Sequence, residues 1–279
     1  MTSSGMQWTK AEPGHISPEI DTGTANVARM YDYWLGGKDN FEADRIAAEK
    51  VLSQMPGQRR SAIENRRFLR RAVGFLAGAA GIDQFLDIGV GLPTQGAVHE
   101  VAHEVNPRSR VAYVDYDPVV VAHGNALLAT PDQSVVVQAD VRRPAELLAN
   151  PVIREHLDFD RPIAVLLLAI VHFVQDSDDP AGVVAVLREA LVPGSYLVLT
   201  HICQELLPDK AAAARAKDVY QRAGQPIKAR SADEIRGFFG DFELVEPGLV
   251  AKHGWRPAEG TPAHDPADIS LGGVGRKRQ

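Results

Sequence analysis

Between residues 85 and 202 the chain alternates short apolar runs with segments of helical periodicity, and few architectures can absorb that alternation. Runs at 85–88, 110–114, 134–138, 163–171 and 196–202 read as strands. Between the first two, Val98, Val101, Ala102 and Val105 recur at helical spacing behind Thr94, a residue that can cap a helix. Asp117-Pro118 and Asp179-Pro180 place a cap and a first-turn proline ahead of two later helices. Repeated βα units predict a parallel sheet with helices on both faces. Such sheets bind ligands beyond the carboxyl ends of the strands, where the strand order reverses. Functional residues are therefore expected just after strands one to five.

The flanks differ. Residues 1–20 have no periodicity and read as a flexible lead-in. A helical pattern over 24–52 is interrupted at Gly36-Gly37, and another runs over 61–80 with Ile63, Phe68, Leu69, Val73, Leu76 and Ala77 at near-helical spacing. On that helix Arg66, Arg67, Arg70 and Arg71 read as a solvated or ion-paired face. After the fifth strand come helices over 210–223 and, from the capping box Ser231-Ala232-Asp233-Glu234, to Phe239. Short strands are expected at 242–245 and 249–252, and a last one at 268–275.

Composition bounds the partners. A formal net charge of -6 gives no global basic field for nucleic acid. The longest apolar run, 163–171, is too short to span a bilayer. The single cysteine, Cys203, cannot form a disulfide within the chain; it fits a reducing, cytoplasmic setting and reads as a buried, inert thiol.

Four strand ends carry unusual residues. The first is Asp87-Ile88-Gly89-Val90-Gly91, whose glycines let the backbone approach a ligand closely. A dinucleotide site would want a third glycine at position 94, where the chain has threonine. A nucleoside-methionine ligand has an ammonium instead of a pyrophosphate, and Asp87 is placed to meet it. The loop alone leaves both ligands open. The second is Asp115, 24 residues after Gly91, which can accept from both ribose hydroxyls. The third is Asp140, suited to an adenine amino group; the fourth ends in His172, a general base or a residue of the substrate mouth.

Taken in order, these strand ends resemble class I S-adenosylmethionine-dependent methyltransferases over roughly residues 60–279. The segment Ala28-Arg29-Met30-Tyr31-Asp32-Tyr33-Trp34-Leu35-Gly36-Gly37-Lys38-Asp39-Asn40-Phe41, with Asp44-Arg45, Asn65-Arg66-Arg67-Phe68 and the closing Gly272-Gly273-Val274-Gly275-Arg276-Lys277, narrows this. It is similar to a bacterial methyltransferase family first catalogued as a domain of unknown function. The resemblance implies an α/β, Rossmann-like fold with a seven-stranded, mostly parallel sheet whose last strand is antiparallel. It implies an N-terminal helical lid over 21–58 and a methyltransferase domain over 59–279, with a helical cap at 204–230. S-adenosylmethionine would be held by Asp87, Gly89, Gly91, Asp115, Tyr116, Asp140, Val141 and Ala169, with Tyr33 and Gly37 from the lid, whose aromatic residues suit a sulfonium cation. His172 or Tyr31 would lie beside the methyl, with His201 as a further candidate. The acceptor would be a small molecule.

One competing motif and two other functional readings stand beside this. His99-Glu100-Val101-Ala102-His103 fits a zinc-protease pattern, but the apolar stripe turns both histidines to the flank of their helix, and no third ligand follows, so no metal is expected. Binding of S-adenosylmethionine without turnover is the second functional reading, because no dedicated catalytic acid or base excludes it. A nicotinamide oxidoreductase is the third, and Thr94 and Asp140 speak against it.

Overall fold

The computed structural model describes residues 21–93, 96–258, 260 and 267–278. The expected lead-in at 1–20 and the Thr94 cap lie outside the described residues. Five parallel strands form the sheet: β1 (Gln84–Ile88), β2 (Arg110–Asp115), β3 (Ser134–Gln138), β4 (Ala164–Leu168) and β5 (Tyr196–Ile202). Their spatial order is β3-β2-β1-β4-β5. Every residue of β1 and β4 is buried, as the continuous apolar runs require of central strands. Three further strands follow, β6 (Glu243–Leu244), β7 (Val250–Ala251) and β8 (Ser270–Arg276); β8 runs antiparallel to β5.

Among the described residues the strand count is thus eight, where seven were expected. β6 and β7 pair with opposite ends of β8, at Gly275–Arg276 and Leu271–Gly272. They fill one edge position as two halves, separated by Pro247, which cannot donate to a ladder.

Ten helices are found among the described residues. α1 (Val27–Leu35), α2 (Glu42–Gln54) and α3 (Gln58–Ala77) precede the sheet. α4 (Val98–His103), α5 (Pro118–Leu127), α6 (Pro144–Leu148), α7 (Pro151–His156) and α8 (Pro180–Glu189) make the crossovers. α9 (Lys210–Arg222) and α10 (Ala232–Gly237) follow β5. Val98, Val101 and Ala102 of α4 are buried as the periodicity predicts, but Val105 lies past the helix end and is half exposed. No described helix is long and apolar enough to cross a membrane.

Asn26 caps α1 by accepting from the Ala28 and Arg29 amides, and Gly36, at φ +81°, ends it. Met30 and Trp34 pack with Ala48 and Val51 of α2 and with Ala216 and Tyr220 of α9. A buried Arg29–Asp44 ion pair at 2.7 Å ties α1 to α2. The Asn26 amide group also donates to Asp117 Oδ2 at 2.7 Å, joining the N-terminal helices to the loop after β2. α1, α2 and α9 thus pack as one unit at the carboxyl ends of the strands.

Candidate active site

The strand order reverses between β1 and β4, so the loops after them part and leave a crevice. A cavity of about 350 Å³ opens there, within the size range of small-ligand sites. Gly89 turns at φ +80°, and a Cβ built on it would come within 2.0 Å of Ile170 in the loop after β4. Only glycine lets the two loops approach so closely. Asp87, at the end of β1, is buried on the cavity wall. Burial pushes its carboxyl up to about 7; Arg66 on α3 pulls the other way, and Asp115 adds to the rise. A carboxylate so placed gains from a cationic ligand group.

Asp115 accepts from the Gly91 amide at 3.0 Å through Oδ2 and from the Asp117 amide at 3.0 Å through Oδ1. Each oxygen keeps a lone pair, which suits a vicinal diol. Asp140 is gripped by Arg142, whose guanidinium donates to both carboxylate oxygens. Burial would raise its carboxyl, but the Arg142 contacts outweigh it and hold it below the usual range. Tyr116 and Val141 line the same end of the cavity.

Strand β4 stops at Leu168, three residues short of the expected end. Ala169 takes a left-handed φ of +59°, and its amide donates to Thr200 Oγ1 at 2.8 Å instead of continuing a ladder. Non-glycine residues hold that conformation at a cost of roughly 1–3 kcal/mol, and such strain gathers at functional sites. A single helical turn at Val171–Phe173 follows and turns the His172 ring onto the cavity wall. His172 is buried, its Nδ1 has no hydrogen-bond partner among the described residues, and burial drives it well below the ordinary histidine range. Burial thus favours its neutral form.

The remaining candidate residues have other partners. His201 Nδ1 donates to the Ile202 carbonyl and Nε2 accepts from Arg230, so both nitrogens are committed. Burial first, then Arg230, lowers its pKa to about 4 against the pull of the Ile202 carbonyl. The Tyr31 hydroxyl donates to the Ala62 carbonyl and accepts from Asn65, so it contributes a wall and not a proton carrier. Tyr33 and Gly37 do not line the cavity. Tyr33 turns away from Asp32 and Trp34 on α1 and donates to Glu49 of α2. Gly37 makes room for Asp32, whose Oδ1 would lie 1.9 Å from a Cβ there. His99 Nδ1 pairs with the Tyr113 hydroxyl, His103 Nε2 with the Ser109 carbonyl, and Glu100 caps α4. The Cys203 thiol is buried and donates to Glu205.

Several wall residues escaped the sequence reading. Ser61, Ala62, Asn65, Arg66 and Leu69 recur at helical spacing and form the cavity face of α3. Arg67, Arg70 and Arg71 pair with glutamates as a charged face should, whereas Arg66 faces the cavity and donates to the Gly96 carbonyl. Lys252 is 2% exposed and donates to Ser61 and Asp268.

Residues 13–278 match a family model described as S-adenosyl methyltransferase. The chain belongs to that family. Two solved structures are similar over nearly its full length. One is a DUF574 family protein from Streptomyces avermitilis MA-4680, 42% identical, with 92% of this chain and 99% of that one covered and a TM-score of 0.87. The other is a protein from Thermobifida fusca YX described as a candidate methyltransferase, 45% identical, with 94% and 98% covered and a TM-score of 0.88. No curated protein matches. Family membership makes this S-adenosyl methyltransferase an enzyme of the class I fold, with S-adenosylmethionine as cofactor and S-adenosylhomocysteine as product. The residues of the crevice fit that cofactor: a glycine cradle, a buried acid for an ammonium, and an acid with free lone pairs for a ribose.

Proposed function

We propose that this enzyme methylates a small molecule held between the strand ends and the helices of residues 21–58 and 204–230, which act as lid and cap over the domain 59–279. The observation that carries the proposal is His172: a buried imidazole with an unpartnered nitrogen on the wall of the cavity. Asp87 would hold the cofactor's ammonium and Arg66 its carboxylate. Asp115 would hold the ribose, with Asp140, Val141 and the Tyr116 ring around the adenine. To reach adenine, Asp140 must give up part of its Arg142 contact; Arg142 is half exposed, so water can take up the released guanidinium.

Bound there, the sulfonium cofactor supplies an already activated methyl group. The protein's own work is alignment and exclusion of water, which contributes on the order of 7–11 kcal/mol when two reactants are held in line. Ala169 and Thr200 fix the loop after β4, and Asn65 accepts from the Thr200 hydroxyl at 2.8 Å while donating to Tyr31. This chain of hydrogen bonds joins the strand ends, α3 and the lid. His172 takes the acceptor's proton.

The test uses methyl-labelled cofactor with a low-molecular-mass bacterial extract and, separately, with its protein and nucleic acid fraction. Label is expected in small molecules alone. Label in macromolecules would overturn the small acceptor, and label in neither fraction would overturn turnover.

A further inference from the structure

The acceptor end of the cavity is walled by rings. Tyr31 and Trp34 of α1, Tyr220 of α9, and Phe173 and His172 after β4 form an unbroken arc. Successive centroids lie 6.4, 6.5, 6.3 and 4.5 Å apart. All five residues line the cavity. Two buried polar atoms in the arc, Trp34 Nε1 and His172 Nδ1, have no hydrogen-bond partner among the described residues. Indole N–H is a donor only, and a neutral imidazole can accept. Unsatisfied buried polar atoms are rare in folded proteins, so a donor and a potential acceptor on one wall mark where a ligand's polar atoms belong.

We infer that the methyl acceptor is a flat aromatic molecule bearing an ionisable hydroxyl, a phenol or hydroxy-heteroarene, and that it is methylated on oxygen. The inference rests on the small-molecule reading above. A wall built of aromatic rings favours another ring as its ligand. It would also hold an ammonium, and the charges decide between the two. Lys252 lies on the cavity wall, and Arg230 stands 3.0 Å from Nε2 of His201, whose ring centroid is 5.7 Å from that of His172; both side chains oppose a positive charge at His172. The buried carboxylates on elements of this wall are engaged. Asp268 is paired with Lys252 and His253, and Asp32 accepts from the Asp39 amide and Asn40. A cationic amine would add a positive charge there, whereas in transfer to a hydroxyl the charge lost by the sulfonium reappears on His172 and is then released, so the chamber gains none, and the attacking oxygen's developing negative charge is stabilised.

The step balances. The hydroxyl oxygen attacks the methyl carbon of S-adenosylmethionine as its proton passes to His172. The new O–C bond forms while the donor's C–S bond breaks, its electron pair staying on sulfur and turning the sulfonium into a neutral thioether. The imidazolium then releases the proton to solvent. The Trp34 N–H holds a second acceptor atom of the substrate and sets its orientation.

The test titrates the full chain, saturated with S-adenosylhomocysteine, with three size-matched sets by ligand-observed NMR: phenols and hydroxyquinolines, arylalkylamines, and cycloalkanols. The phenolic set is expected to bind ~10-fold or more tighter than the other two. With labelled S-adenosylmethionine the best phenol is expected to be methylated on oxygen. His172→Asn should slow that transfer by ~10²-fold or more while leaving phenol affinity within about threefold. Trp34→Phe keeps the ring and removes the donor; it should weaken phenol binding about five- to tenfold, and it tests the site even if the His172 variant fails to fold. Amines binding as well as phenols, label on nitrogen, phenols bound without methylation, or variants that behave like the parent would each overturn the inference. Methylation of an amine would leave the small-molecule reading standing, whereas a chain that binds no S-adenosylhomocysteine would sink that reading itself.

Discussion

Replacing Asp115 by alanine is expected to weaken S-adenosylhomocysteine binding by about 10²-fold or more, since hydrogen bonds to a charged group contribute roughly 1.5–3 kcal/mol each and two ribose hydroxyls are involved. The carboxylate acts twice. Its Oδ2 also holds the Gly91 amide and its Oδ1 the Asp117 amide, so the substitution loosens the glycine loop as well as removing the ribose partner. Asn at this position keeps one acceptor oxygen and should fall between the two. Calorimetry measures the loss, and thermal melting of the same samples separates it from unfolding. An alanine variant that binds within threefold of the parent would remove Asp115 from the site.

The second large effect is expected at Gly89. Alanine there must adopt φ +80° and place a Cβ within 2.0 Å of Ile170 Cγ1. A left-handed alanine costs roughly 1–2 kcal/mol before any clash. Relief of the clash moves Ile170, two residues before His172, so the substitution should abolish measurable cofactor binding and lower the melting temperature. Removing the obstacle should restore part of both: Gly89→Ala with Ile170→Ala is expected to melt higher than Gly89→Ala alone and to recover binding, a non-additivity of the kind shown by residues in contact. A single variant that binds like the parent, or a double variant no better than the single, would contradict the loop-against-loop account.

Why some of this was legible in the sequence and some was not follows from where each signal resides. β1 to β5 were readable because short apolar runs between capped helices have few other uses, and the acids at 87, 115 and 140 stand at strand ends where the fold puts ligands. The premature end of β4 was not readable: an apolar run from 163 to 171 gives no warning that Ala169 will turn left-handed, because that turn depends on Thr200, a hydrogen bond made across the sheet. Arg66 was hidden among four arginines whose rotation about α3 is fixed only by what the helix packs on. Tyr33 and Gly37 shared a signature with Tyr31 and Trp34, and adjacent positions on a helix face different ways. Lys252 and Asp268 meet only after β8 closes the sheet, which no spacing along the chain announces.

The central claim, that the crevice after β1 holds the amino-acid end of S-adenosylmethionine on Asp87, is tested most directly by calorimetric titration with S-adenosylhomocysteine at pH 6 and pH 8. The carboxyl is held at about 7 before binding, and a bound ammonium favours its ionised form, so the pKa falls on binding. Below pH 7 binding must release a proton and therefore weakens as the pH drops; above pH 7 the carboxylate is ready and this dependence levels off. Affinity should be about tenfold higher at pH 8 than at pH 6, with proton release at pH 6 visible as a heat that scales with buffer ionisation, and Asp87→Asn should abolish the difference. No binding, or binding with the same affinity and no proton release at both pH values, would contradict the account.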